Sequence, residues 1–356
     1  MNGERKSAPP RDGQDMKLAH VEFYVQNLDE VVDWLAESYG FAKSPEADVA
    51  TSADTHRSAV MRGGLITLVV TQALSETHFA HDYVWRHGDG VGNLGIGVAD
   101  VTAAFEDAVE RGAVPISAPQ RNGTDGAITA VIRGFGDVLH TFVEHREKAP
   151  AVRVPSSSVR RIDHLAVCLE AGELDPTTEY YESALGFSTI FEERIVIGSQ
   201  AMLSKVVQSP STEITLTLIE PDTRMDAGQI DEFLKRHNGA GVQHIAFETN
   251  DIVRSVSVLS DKGVDFLSTP ATYYDALADR LDLATHTVDE LRQHNILVDE
   301  DHDGQLFQIF ARSTHPRNTL FFEVIERLGA KTFGSGNIKA LYEAVEAARV
   351  RGETST

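Results

Sequence analysis

Gly239-Ala240-Gly241-Val242-Gln243-His244-Ile245-Ala246-Phe247, closed by Asn250-Asp251-Ile252, is the stretch that orders the rest of the chain. A glycine-punctuated turn leads into an apolar run with one histidine near its start. The Asn-Asp pair stops the run, and Val253, Val256 and Leu259 follow at helical spacing. The pattern reads as loop, strand, N-cap and helix. Ile162-Asp163-His164-Leu165-Ala166-Val167 is a second such strand, with His164 at the matching place, and it too feeds a helix. A third strand, Thr319-Leu320-Phe321-Phe322-Glu323-Val324-Ile325, carries a glutamate among apolar neighbours. The three polar residues are spaced almost evenly, 80 residues apart (164 to 244) and 79 apart (244 to 323). Two histidines and one carboxylate on separate strands form the set that holds non-haem Fe(II) with coordination positions left open. One histidine on a strand is usually a hydrogen-bonded core or surface residue. Three such carriers in matching copies of one pattern are what single out His164, His244 and Glu323.

The chain repeats itself. Leu18-Ala19-His20-Val21-Glu22-Phe23-Tyr24-Val25 is a strand, and Asn27 caps a helix running through Val32 and Leu35 to Tyr39-Gly40-Phe41. The segment from Ile162 echoes it and ends its helix at Leu185-Gly186-Phe187. Strand-like runs follow in both, from Gly64 to Val70 and from Glu213 to Ile219. His87-Gly88-Asp89-Gly90-Val91-Gly92-Asn93-Leu94-Gly95-Ile96 then parallels the stretch around His244. The sequence therefore predicts four copies of strand, helix and several strands, two in each half. A single copy cannot close its own sheet, so pairs should combine into curved, open barrels with a concave face for a site. The expected division is a lead-in over 1–16, a structural domain over 17–147 and a Pro/Ser-rich linker over 148–160. The iron-bearing domain follows over 161–348, ending in a helix from Asn337 to Ala348, with a tail over 349–356.

In the first half the metal set is broken. His20 stands where His164 does, but Asn93 replaces His244, and Leu139-His140-Thr141-Phe142-Val143-Glu144 offers no clear partner for Glu323. That half reads as structural.

The 356 residues are too many for one ordinary core and fit two domains. A formal net charge of −22 argues against nucleic acid or an anionic membrane surface as partner. A lone cysteine, Cys168, excludes an intrachain disulfide framework and suits a reducing cytoplasm; it reads as a small core hydrophobe. No apolar run approaches a membrane span, and the first fifteen residues lack a signal-peptide core. The sequence leaves a homodimer open. Asp299-Glu300-Asp301-His302-Asp303-Gly304 imitates the start of a calcium loop, but Phe310 holds the position of the bidentate glutamate, so a solvated turn is expected. Gly334-Ser335-Gly336 lacks the strand that a phosphate-binding loop would need.

Five motifs resemble one family. They are Gly239 to Ala246, Thr269-Pro270-Ala271-Thr272-Tyr273-Tyr274, Gln308-Ile309-Phe310, Phe321-Phe322-Glu323-Val324-Ile325-Glu326-Arg327, and Phe333-Gly334-Ser335-Gly336-Asn337. The repeated unit is similar to the vicinal oxygen chelate fold, an α+β arrangement of tandem βαβββ modules. From about Lys17 to about Ala348 the chain resembles the 4-hydroxyphenylpyruvate dioxygenase family. The likeness is strongest to its 4-hydroxymandelate-forming branch. Where the dioxygenases have Asn-Glu-Pro preceded two residues earlier by proline, this chain reads Thr217-Leu218-Ile219-Glu220-Pro221. Where they have Asn-Phe it has Asn337-Ile338, and Tyr342 replaces a phenylalanine.

The resemblance implies one Fe(II) per chain on His164, His244 and Glu323. It implies 4-hydroxyphenylpyruvate and O₂ as substrates, oxidative decarboxylation, and hydroxylation at the benzylic carbon to 4-hydroxymandelate. The family alternative is ring hydroxylation to homogentisate. It further implies catalytic roles for Ser204, Thr217, Gln308 and Tyr342, and substrate contacts from Gln229, Gln243, Ile219, Phe310, Phe321, Phe333 and Ile338. Amides suit a phenol or an oxo acid without adding charge, phenylalanines suit the aryl ring, and the terminal helix could close the site. Proteins with this repeat can also be metal-free binders that sequester a ligand, a reading that loss of a metal ligand would favour.

Overall fold

The computed structural model describes residues 16–44, 55–122, 126–144, 159–275, 277–337 and 339. The expected lead-in up to Asp15, the linker stretch up to Ser158, all of the expected closing helix except Asn337 and Lys339, and the tail lie outside them.

Four βαβββ modules follow one another. The first is β1 (Lys17–Tyr24), α1 (Leu28–Tyr39), β2 (Ala42–Lys43), β3 (His56–Gly63) and β4 (Ile66–Ala73). After α2 (Phe79–His87) comes the second: β5 (Gly90–Val98), α3 (Val101–Glu110), β6 (Pro115–Asn122), β7 (Ala127–Arg133) and β8 (Leu139–Glu144). The third is β9 (Arg161–Cys168), α4 (Leu174–Leu185), β10 (Ser188–Ile197), β11 (Gln200–Gln208) and β12 (Thr215–Pro221), followed by α5 (Gln229–His237). The fourth opens with β13 (Gly241–Glu248) and α6 (Ile252–Asp261). Three short helices are inserted next: α7 (Ala271–Asp275), α8 (Leu277–Arg280) and α9 (Val288–Gln293). It ends with β14 (Leu297–Asp301), β15 (Gly304–Phe310) and β16 (Phe321–Leu328).

The expected start and stop signals act locally. Asn27 and Asp251 accept backbone N–H groups from the first turns of α1 and α6. Gly40 and Gly186 close α1 and α4 at φ of 72° and 70°, left-handed values that favour glycine.

Each pair of modules builds one eight-stranded sheet, in the orders β2-β3-β4-β1-β5-β8-β7-β6 and β10-β11-β12-β9-β13-β16-β15-β14. The central strands of each sheet are antiparallel to each other, and each runs parallel to the last strand of its own module. Each sheet curls into a half-barrel. Strand alternation divides the faces. Leu165, Val167, Ile245, Phe247, Phe322 and Val324 join one apolar core that also contains Phe23, Leu35 and Tyr39 of the first half. Phe322 is its hub, stacked on Trp34 at 5.2 Å and edge-on to Tyr39 at 4.8 Å. The opposite face of the second sheet carries His164, Ala166, His244, Ala246 and Glu323, and forms the cup. Helix α5 closes one end of it, setting Ile230, Phe233 and Leu234 against Ala166, Cys168, Met202 and Ile219.

Candidate metal centre

The three ligand candidates meet because of strand register. Ala246 on β13 pairs with His164 on β9 and with Glu323 on β16, while His244 pairs with Ala166 and Phe321. Two alanines thus lie among the three functional side chains and leave the space between them free. One ligand atom from each of His164, His244 and Glu323 lies within 4.8 Å of the other two. Glu323 Oε2 is 3.2 Å from His244 Nε2 and 3.6 Å from His164 Nε2. Glu323 is 1% exposed. A carboxylate so deeply buried needs a compensating charge, and two imidazole nitrogens converging on it make a ready place for a divalent cation. The donor set fits Fe(II): neutral nitrogen and one carboxylate oxygen on one side, with the cup left for other ligands.

The backs of the ligands are held in turn. The register between β9 and β13 slips at two points, where Asp163 and Gln243 have no partner across the ladder. Such bulges re-aim side chains. Asp163 Oδ1 sits 2.8 Å from His164 Nδ1 and Gln243 Oε1 sits 3.4 Å from His244 Nδ1. An Nδ1–H donated to each oxygen leaves both Nε2 lone pairs facing the metal position. Burial lowers the pKa of His244, only partly offset by Glu323, which keeps the ring neutral for ligation. Burial alone would raise the Asp163 carboxyl, but hydrogen bonds from His164 and Arg327 and the Arg327 charge hold it well below the usual carboxylate range. Gln308 fixes the third ligand: its Nε2 donates to Glu323 Oε1 at 2.7 Å, and its Oε1 accepts from Asn337 Nδ2 at 2.9 Å.

The other expected site residues are not all brought together. Phe321 stacks on the His244 ring at 5.0 Å, Phe310 meets it edge-on at 6.1 Å, and Phe333 stands edge-on to His164 at 5.2 Å. Thr217 pairs with Ala166, and Ile219 with Cys168, so both face the cup, as does Ser204 opposite Ile219. Thr217 Oγ1 is buried with no hydrogen-bond partner among the described residues. Gln243 lies behind His244. Gln229 begins α5 and lines a crevice with Ile197, Gln200 and Met202, with no hydrogen bond to the triad. Ile338 and Tyr342 fall outside the described side chains.

The first half shows what replaces a metal site. Its register sets His20 against Gly95, Glu22 against Asn93, and Gly95 against Thr141. Thr141 therefore stands where Glu323 does, the counterpart that the sequence left unidentified. Glu22 takes the place of Ala166 and fills the cup with a polar network. Its carboxylate accepts from Thr71 at 2.6 Å and Asn93 at 2.8 Å, and Asn93 accepts from Thr141 at 3.0 Å. No second cluster of three metal-ligating side chains occurs among the described residues.

The Asp299–Gly304 stretch is the expected turn, a β-hairpin in which Asp301 accepts the amides of Asp303 and Gly304. Gly336 N–H is likewise taken, by Asp299 at 2.9 Å. Cys168 is buried in the apolar cluster under α5, and burial pushes its thiol pKa up. No helix among the described residues is long and apolar enough to cross a membrane.

This fold and this triad place the protein among metal-dependent dioxygenases built from paired vicinal oxygen chelate domains. Models of the glyoxalase/bleomycin resistance protein/dioxygenase superfamily match residues 19–131 and 161–309. 4-Hydroxyphenylpyruvate dioxygenase from Aspergillus fumigatus is 32% identical, with 96% of each chain covered. The enzyme of that name from Dictyostelium discoideum is 30% identical, covering 92% of this chain and 96% of that one. A solved triple mutant of 4-hydroxymandelate synthase from Streptomyces coelicolor is similar at 42% identity with a TM-score of 0.84, covering 95% of this chain and all of that one. The chain belongs to the 4-hydroxyphenylpyruvate dioxygenase family.

Proposed function

We propose that the protein binds one Fe(II) at His164, His244 and Glu323 and converts 4-hydroxyphenylpyruvate and O₂ to 4-hydroxymandelate and CO₂. The observation that carries this reading is the wall facing the triad, where Thr217 presents an unpartnered hydroxyl and Ile219 an apolar surface. The dioxygenase pattern would put proline and asparagine at these two positions. The full-length likeness at 42% identity to a 4-hydroxymandelate synthase, against 32% and 30% to two dioxygenases, supports the same branch.

Bound Fe(II) supplies open coordination positions for a 2-oxo acid and O₂ and the capacity for oxidative decarboxylation. The protein supplies position. Gln308 holds Glu323 Oε1 and so turns Oε2 into the cup. Asp163 and Gln243 keep each imidazole in the tautomer that ligates through Nε2. Phe310, Phe321 and Phe333 line the approach with apolar rings that suit an aryl group and exclude water. Thr217 Oγ1 can donate to an oxygen of the substrate, which its present lack of a partner leaves it free to do. Ile219 offers no hydrogen bond, so the ring lies against it by shape alone. A shift of a few ångströms in the ring then decides which carbon faces the oxidant.

Anaerobic addition of 4-hydroxyphenylpyruvate to the Fe(II)-loaded protein tests the site. A weak visible charge-transfer band is expected from bidentate chelation, and it should vanish in Glu323→Ala. Absence of the band in the wild type, with iron present, would count against chelation and favour a ligand-sequestering role.

A further inference from the structure

Arg327, on β16 four residues after Glu323, directs its guanidinium at two targets, Asp163 and the turn that follows β16. Nε donates to Asp163 Oδ2 at 2.7 Å and Nη2 to Asp163 Oδ1 at 2.9 Å, a two-point grip on the carboxylate that backs His164. Nη1 donates to the carbonyls of Thr332 at 2.6 Å and Ala330 at 3.2 Å. The guanidinium also lies over the Phe333 ring, 5.0 Å from its centroid. Phe333 in turn meets the His164 ring edge-on.

We propose that Asp163 and Arg327 act as one positioning unit that sets the His164 imidazole and the Phe333 ring together, so that metal affinity and the placement of the Ala330–Phe333 turn depend on each other. The inference rests on His164 being a metal ligand. Three observations support it. The β9 bulge is the local feature that lets Asp163 reach His164 at all, since strict alternation would send neighbouring side chains to opposite faces. The first half provides an internal control. Its register slips at the same two places, but Ala19 and Gly92 stand there instead of Asp163 and Gln243. The oxygens behind the ligands are therefore present in the half that has the triad and absent from the half that lacks it. Finally, the pair is barely exposed: the Asp163 side chain is 6% and that of Arg327 16%. A charged pair held this far from water, with four guanidinium hydrogen bonds divided between the ligand's support and the turn, serves geometry more than solubility.

The same grip explains how the turn is held. Asp301 accepts the amides of Lys331 and Thr332, while Arg327 takes the carbonyls on either side of Lys331. The turn carrying Phe333 is fastened from both edges, and only one of these fastenings leads back to the metal.

The test is anaerobic Fe(II) titration of the full-length, metal-stripped protein against a chromophoric chelator, for wild type, Asp163→Asn, Arg327→Met and the double variant. Each single change should raise the Fe(II) dissociation constant roughly 10–100-fold, the usual effect of losing a group that orients a ligand. The double variant, which leaves no unpaired charge, should be no worse than the weaker single one, because the two act as a unit. Trypsin should also cut faster after Lys331 in Arg327→Met. If the single variants fail to fold, Arg327→Lys keeps the charge without the two-point fork and should still weaken Fe(II) binding at least threefold. Wild-type affinity in the folded double variant or in Arg327→Lys would overturn the proposal, as would losses that simply multiply. A wild type that takes up no Fe(II) would instead overturn the metal site on which the proposal stands.

Discussion

Ala166 and Glu22 occupy the same register position in the two halves of the chain, one facing His244 and the other facing Asn93. A methyl group there leaves an open cup among three ligands. A carboxylate there closes the cup with a hydrogen-bonded network of neutral partners. Together with Asn93 in place of His244 and Thr141 in place of Glu323, this side chain separates a half able to hold a metal from a half that is not.

Iron content should follow this difference. His20→Ala should leave the stoichiometry at one Fe per chain, measured by elemental analysis of the reconstituted protein. Ala166→Glu should abolish binding, because it inserts a fourth polar group where the metal would sit. Iron falling by about half in His20→Ala would mean that the first half also binds.

Phe322→Ala should destabilise the whole protein. Its ring touches Phe23, Trp34, Tyr39 and Phe247, so the loss opens a cavity shared by both halves. A cost of about 3–5 kcal/mol is expected for such a truncation, read from denaturant unfolding. A loss below about 1 kcal/mol would show that the halves do not depend on this contact.

Acid should weaken the structure over a defined window. Burial depresses His140 and His237 to about 4 from the ordinary 6.5, the second also under the influence of His87. His140 sits between the Leu139 carbonyl and the Tyr181 hydroxyl, and His237 stacks on His87 across the two halves. Between pH about 6.5 and about 4 the unfolded chain binds protons that these folded histidines refuse. Stability should therefore fall with pH, with a slope of up to about 1.4 kcal/mol per pH unit for each group. Urea unfolding at several pH values should show this slope, reduced in His140→Gln. Stability that rises on acidification through the window would contradict it.

The cup wall should govern where oxygen goes. Ile219→Asn combined with Thr217→Pro restores the dioxygenase pattern and should divert part of the product from 4-hydroxymandelate to homogentisate or an uncoupled arylacetate. Pure 4-hydroxymandelate at full rate would place the steering elsewhere, with Ile338 and Tyr342 the next positions to change.

The repeat, both half-barrels and the triad were legible because the apolar runs are long and the polar intruders few. Helices α2 and α5 lie outside the repeated pattern. Helix α5 nonetheless carries Ile230, Phe233, Leu234 and His237 at helical spacing on its buried face. Helix α2 gives a weaker signal, since Phe79 and Trp85 are exposed apolar residues that blur its face. The support behind the ligands was not legible. Alternation assigns Asp163 and Gln243 to the face opposite their neighbours, and a bulge depends on how two strands pair rather than on either one alone. Glu22 was invisible as the plug of the first cup for the same reason.

The most direct test of the proposed activity is the identity of the product. Fe(II)-loaded protein should be given 4-hydroxyphenylpyruvate and O₂, and the products separated against authentic 4-hydroxymandelate and homogentisate, which are isomers and must be told apart by retention. The expected product is 4-hydroxymandelate, with release of CO₂. Homogentisate as the main product would contradict the branch, and consumption of neither substrate by the iron-loaded protein would contradict the site.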